Sequence, residues 1–109
     1  MDILTLASRL EALGNETRLQ VYRMLVRAGP DGLPVGTLQE RLGIARSTLS
    51  HHLHRLIGAD LVHQHREGTT LHCRVSFDVM DETLGALRSE CCADVGRGEI
   101  STLPRRNRA

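Results

Sequence analysis

Apolar residues recur at helical spacing through the first part of the chain and again in its middle. Leu4, Leu6, Leu10 and Leu13 fall near a 3.6-residue period up to Gly14, which predicts a first helix. Asn15 then offers a side-chain N-cap to a second helix carrying Leu19, Tyr22, Leu25 and Val26. Residues 28–32 are a cluster of helix breakers, after which Val35, Leu38 and Leu42 mark a short third helix ended by Gly43. Only Ile44 and Ala45 separate that glycine from the next helical pattern, in which Leu49, Leu53, Leu56 and Ile57 form a stripe at i, i+4, i+7 and i+8 that predicts a fourth helix. Two helices joined this tightly form a helix-turn-helix.

The period then changes. Residues 61–66 and 71–75 alternate around Glu67, Gly68, Thr69 and Thr70, the pattern of a β-hairpin turned at the glycine. A hairpin in this position is a wing. Asp78 is expected to cap a last helix, with Asp81 and Glu82 in its first turn and Met80, Leu84, Leu87 and Cys91 on one stripe. The expected fold is mainly α with a small β-hairpin, a winged helix-turn-helix over residues 1–93. Residues 94–109, with Gly96, Gly98, Pro104 and a run of arginines, read as a disordered basic tail. The sequence contains no internal repeat.

Composition narrows the picture. A chain of 109 residues holds one domain, and with 2% aromatic residues its core must be aliphatic. No apolar run approaches the ~18 residues of a membrane span, and Met1-Asp2-Ile3 lacks the basic start of a signal peptide, so a soluble cytoplasmic protein is expected. Net charge is only +1, yet all 14 basic residues are arginine, and residues 45–75 carry four of them with all six histidines against two acids. Arginine favours planar, bidentate contacts to phosphate or guanine. The polar face of the fourth helix, with Arg46, Ser47, Ser50, His51, His54 and Arg55, has no acidic residue.

The run Leu42-Gly43-Ile44-Ala45-Arg46-Ser47-Thr48-Leu49-Ser50-His51-His52-Leu53 is followed by Leu61-Val62 and Arg66-Glu67-Gly68, and preceded by Leu13-Gly14-Asn15-Glu16-Thr17-Arg18-Leu19. Together these stretches resemble the ArsR/SmtB family of bacterial winged-helix repressors, over roughly residues 3 to 93. The resemblance implies a homodimer that represses transcription until an inducer binds. The dimer contact is expected through the first and last helices. Two positions depart from the family pattern: Ala45 replaces a hydroxyl cap, forgoing about 1 kcal/mol, and Asp60 replaces a glycine and must accept a left-handed turn.

A recognition helix enters the major groove with its N-terminal residues. Arg46, Ser47, Ser50 and His51 are therefore candidates for base edges, His54 for bases or phosphate, and Arg66, Thr69 and Thr70 at the wing tip for phosphate or the minor groove. A dimer would read double-stranded DNA as an inverted repeat with half-sites about 34 Å apart. The plain alternative is a solvated polar face. His51, His52 and His54 do not form a metal site, because neighbouring helical residues point in different directions.

Cys91 and Cys92 are adjacent, and a vicinal dithiol chelates soft, thiophilic centres, of which trivalent arsenic is one. The resemblance supports this reading, since some arsenic-responsive members carry paired cysteines toward the end of the last helix. Cys-x-Cys in the third and fourth helices and a histidine in the last helix, the marks of other inducer sites in the family, are absent. Cys73 on the inward face of the hairpin is a candidate third sulfur, or simply a small buried hydrophobe. Arsenite offers three positions to thiolates and a monomethylated arsenical two. The inducer is thus expected to be As(III), inorganic or monomethylated, with no obligatory cofactor. The rivals are a redox switch, disfavoured by the acidic neighbours Glu90 and Asp94, and cysteines that merely fill a dimer interface. An enzyme is not expected, for want of Cys-x-x-Cys, a phosphate loop or a base beside Cys91.

Overall fold

The computed structural model describes residues 1–96. Helices α1 (Ile3–Leu13) and α2 (Glu16–Ala28) lead into a short strand β1 (Leu33–Pro34). Helices α3 (Val35–Leu42) and α4 (Arg46–Gly58) follow, then strands β2 (Val62–Glu67) and β3 (Thr70–Val75), and helix α5 (Phe77–Arg88). The strands form one antiparallel sheet in the order β1-β3-β2. From residue 97 on, the expected tail lies outside the described residues.

Local chemistry sets most boundaries. The Asn15 side chain accepts a hydrogen bond from the Arg18 amide at 3.0 Å, as its N-cap role requires. Gly43, at φ 66°, closes α3 in the left-handed conformation that glycine adopts without a Cβ clash. Ala45 caps α4 without a side-chain bond, and Asp60 does adopt positive φ, 64°. Gly68 opens the hairpin turn at φ 62°, with glycine first in a two-residue loop as a type II′ turn demands.

The core is aliphatic. Val21, Leu25, Leu38, Leu49, Leu53, Leu56 and Leu61 are fully buried, drawn from α2, α3, α4 and the approach to the wing. Three expectations are corrected. The third strand was not foreseen, since two residues carry no period. It forms because Gly32, at φ 67°, brings its backbone onto β3: a Cβ there would stand 2.0 Å from the Cys73 carbonyl oxygen. Ser76 rather than Asp78 occupies the N-cap of α5, although its hydroxyl pairs with His63 instead of the helix. Finally, α5 ends at Arg88, so Cys91 and Cys92 lie in turns beyond it.

The deepest inward positions of α1 are not leucines but Arg9 and Ala12, with Leu13 only partly buried against the core. Arg9 Nη1 donates to Glu82 Oε1 at 2.8 Å and to Thr83 Oγ1 at 3.3 Å, tying α1 to α5. Much of the remaining apolar surface of α1 and α5 faces outward: Ile3 is 74% exposed, Leu4 80%, Leu84 56% and Leu87 52%. A patch of this kind on a small domain is a contact surface awaiting a partner.

Candidate functional site

Three groups of residues were singled out in the sequence, and the structure separates them. On α4 the buried stripe of Leu49, Leu53 and Leu56 directs the opposite face to solvent. At about 100° per residue, Ser47, His51 and His54 fall on that outward side, with Arg46 and Ser50 on one flank. All are exposed except Ser50, which is half-buried. Arg46 Nη1 donates to Gln39 Oε1 on α3 at 3.3 Å, a contact between exposed groups that a stronger acceptor would replace. The face thus offers one guanidinium, two hydroxyls and two imidazoles, all free of carboxylates.

Two neighbours on α4 have other tasks. Arg55 grips Glu11 of α1 through both carboxylate oxygens, at 2.6 and 2.9 Å, so the recognition candidate is fastened to the first helix. His52 turns inward. Its burial, with Arg18, His51 and Arg55 close by, holds its imidazole below the ordinary histidine range and favours the neutral ring. His51 and His52 rings stand 5.7 Å apart and tilted by 60°, and no three metal-ligating side chains converge among the described residues.

At the wing tip Arg66, Thr69 and Thr70 are all exposed, as a phosphate contact requires. Behind them is an arrangement not foreseen in the sequence. Glu67 lies 3.1 Å from His72 Nε2, 3.4 Å from His65 Nε2 and 4.0 Å from Arg74. The two imidazoles stack at 5.3 Å across the strands. The signal was present: a two-residue turn at Gly68-Thr69 sets Glu67 opposite Thr70, and counting back sets His65 opposite His72.

The cysteines divide into one and two. Cys73 is fully buried on the inner face of β3, under Gly32 and within 3.4 Å of Gln64 Nε2, and burial pushes its thiol up from the ordinary range. The structure does not bring it to the other two, so a three-sulfur set is not assembled within one protomer. Cys91 and Cys92 are exposed with their sulfurs 3.6 Å apart. Consecutive residues of a regular helix would diverge by about 100°. The pair converges because the chain has left α5 and Cys92 takes φ 61°, a conformation costing a non-glycine residue about 1–2 kcal/mol. The Cys91 thiol is raised above its ordinary range, first by its hydrogen bond with Cys92 and then by the charge the neighbouring sulfur would carry. The protonated form therefore prevails near neutrality, the outcome expected from the acidic neighbours but with a different cause.

This turn adjoins the exposed seam. A depression of about 370 Å³ runs from Met1, Ile3 and Leu6 of the N-terminal segment to Leu87, Ser89 and Glu90, next to Cys91.

Comparison with known proteins places the arrangement. A family model described as a helix-turn-helix domain matches residues 13–65. The chain is 32% identical to the nodulation protein NolR of Rhizobium meliloti, over 93% of this chain and 80% of that one. It is 36% identical to a Halobacterium salinarum protein named as the arsenical resistance operon repressor ArsR2, over 72% of this chain and 67% of that one. Among solved structures it resembles a homodimeric winged helix-turn-helix DNA-binding domain of Mycobacterium bovis, with TM-score 0.64, 27% identity, and 83% of this chain and 80% of that chain covered.

Proposed function

Starting from the fact that this chain belongs to the ArsR/SmtB family of winged helix-turn-helix transcriptional regulators, which are DNA-binding proteins and not enzymes, we propose that it is a repressor released from its operator by trivalent arsenic bound at Cys91 and Cys92. The observation that carries this reading is the pair of exposed sulfurs 3.6 Å apart on a turn beside an uncovered apolar seam. A monomethylated arsenical has two exchangeable positions and matches the pair as it stands. Arsenite keeps a hydroxyl, or takes its third ligand from elsewhere. In both cases each As–S bond forms as an As–OH bond breaks, and the thiol proton leaves in water.

The seam explains how binding reaches the DNA. Ile3, Leu4, Leu84 and Leu87 give α1 and α5 an apolar face that a second copy would cover, as the homodimeric state of the Mycobacterium bovis domain supports. The dimer sets the distance between two α4 helices, whose Arg46, Ser47, Ser50, His51 and His54 read base edges and phosphates of an inverted-repeat operator. Arg66, Thr69 and Thr70 of each wing add phosphate or minor-groove contacts. Capture of arsenic at the end of α5 shifts the seam. Arg9 couples α5 to α1, and the Glu11 to Arg55 pair couples α1 to α4.

Linkage fixes the size of the effect: the inducer binds the DNA-free form more tightly by the same factor that it weakens operator affinity, about 5- to 150-fold for a usual coupling of about 1–3 kcal/mol. Anisotropy titrations of a duplex enriched from a random pool test this with and without arsenite and methylarsenite. Wild-type affinity should fall at least about fivefold, and Cys91→Ser/Cys92→Ser should bind the duplex equally well in both conditions. If the double variant still responds, the thiol site is wrong.

A further inference from the structure

Helices α2 and α3 enclose an open groove of about 390 Å³ lined by Gln20, Arg23, Met24, Arg27, Arg41 and Leu42. It runs into a second hollow of about 530 Å³ that shares Met24, Arg27 and Arg41 and reaches Gly32. Gln20, Arg23 and Arg27 stand at i, i+3 and i+7 along one ridge of α2, and Arg41 faces them from the last turn of α3. All three guanidiniums are exposed, and among the described residues none has an ion-pair or side-chain hydrogen-bond partner. This differs from Arg9, Arg18, Arg55 and Arg74, each of which is paired. Like charges at i, i+4 repel on a helix, and a third cation opposite them adds to that cost. No carboxylate lines either hollow to offset it.

We propose that this groove is a phosphate-binding site, with Arg23, Arg27 and Arg41 forking onto phosphate oxygens above a floor of Met24 and Leu42. A planar guanidinium meets phosphate through two parallel N–H groups, and three of them suit an oligophosphate better than a single carboxylate. Phosphates reach the groove from one of two sources. One is the duplex backbone, since α3 is the first helix of the helix-turn-helix and such helices cross the backbone. The other is a free phosphate-bearing small molecule.

The test compares wild type with Arg23→Gln/Arg27→Gln/Arg41→Gln and with the corresponding triple lysine variant, all with thermal melts as a check on folding. In one arm, duplex affinity is followed against salt. Each neutralised backbone phosphate contributes about 0.9 to the slope of log K against log salt. The glutamine triple should therefore lose up to about 2.7 of slope, alike on operator and random duplex, and the lysine triple should keep it. In the other arm, inorganic pyrophosphate is titrated at constant ionic strength. Saturable binding weakened at least tenfold by glutamine, and largely kept by lysine, assigns the groove to free phosphates. An unchanged salt slope together with no groove-dependent pyrophosphate binding overturns the proposal. The backbone source rests on the DNA-binding reading above, and the two fail differently: a wild type that binds no duplex sinks that reading, and the pyrophosphate arm still judges the groove.

Discussion

Replacing Gly32 with alanine tests whether the close approach of β1 to β3 holds the wing in place. Two costs add at this position. Alanine at φ 67° carries a backbone penalty of about 1–2 kcal/mol. Its Cβ would also stand 2.0 Å from the Cys73 carbonyl oxygen and 2.8 Å from Arg74 Cγ, and the first of these is backbone that cannot swing aside. Relief requires β1 to slide off β3, with loss of the Leu33 to Cys73 and Pro34 to His72 pairing, and overpacking of this kind costs about 1–3 kcal/mol. The total of about 2–5 kcal/mol is a large part of the stability of a small domain. Gly43 is the matched control, because its φ is 66° and nothing lies within 4 Å of its Cβ position. Gly43→Ala should therefore show the backbone penalty alone. In urea melts at one fixed protein concentration, Gly32→Ala should be less stable than Gly43→Ala by about 1–3 kcal/mol. At about 4–8 °C per kcal/mol for a domain of this size, their melting temperatures should differ plainly. Equal destabilisation of the two variants would refute the close-contact argument.

Arg9→Met keeps the apolar stem but removes the charged link to Glu82 and Thr83; because Glu82 is 57% exposed and Arg9 Nε has no partner, we expect a loss of only about 1–2 kcal/mol in denaturant melts. A variant as stable as wild type would show that burying the guanidinium costs as much as its hydrogen bonds return. Cys73 should resist alkylation in the folded protein while Cys91 and Cys92 react, so mass spectrometry after brief iodoacetamide treatment should find two adducts and not three. Cys73→Ser should leave the response to methylarsenite intact. The pH dependence also has a definite sign. Condensation of arsenous acid with two thiols releases water and no net proton, so binding should be flat below the raised Cys91 titration and fall above it as thiolate forms. A divalent cation bound by thiolates would show the opposite trend, tightening as pH rises, and calorimetry of arsenite binding from pH 6 to 10 separates the two.

Much of this architecture is readable from residue order because each signal is strong and local. Gly43, with only two residues between it and the helix that carries the next leucine stripe, joins two helices sharply, and Gly68 between alternating segments sets both the hairpin and its register. The exposed side of α4 follows directly from its buried side. What escapes is decided by contacts distant in sequence. The polar Arg9 lies inside and Leu4 outside because Glu82 and Thr83 are 73 and 74 residues away, and no window in α1 reports that. β1 is too short for a period and exists only because β3 passes by. Ser76 takes the cap position from Asp78 because the hairpin delivers the chain to α5 two residues early. The thiols of Cys91 and Cys92 were recognisable as neighbours, but their convergence depends on a positive φ that residue type does not announce.

Arg55 Nη2 meets both carboxylate oxygens of Glu11 and so ties α4 to the first helix. Because Glu11 is well solvated, the clasp adds little to stability, and its worth lies in fixing how the two helices are set against each other. Under the function proposed above, a rotation of α1 by a few degrees would be passed to α4 through this clasp.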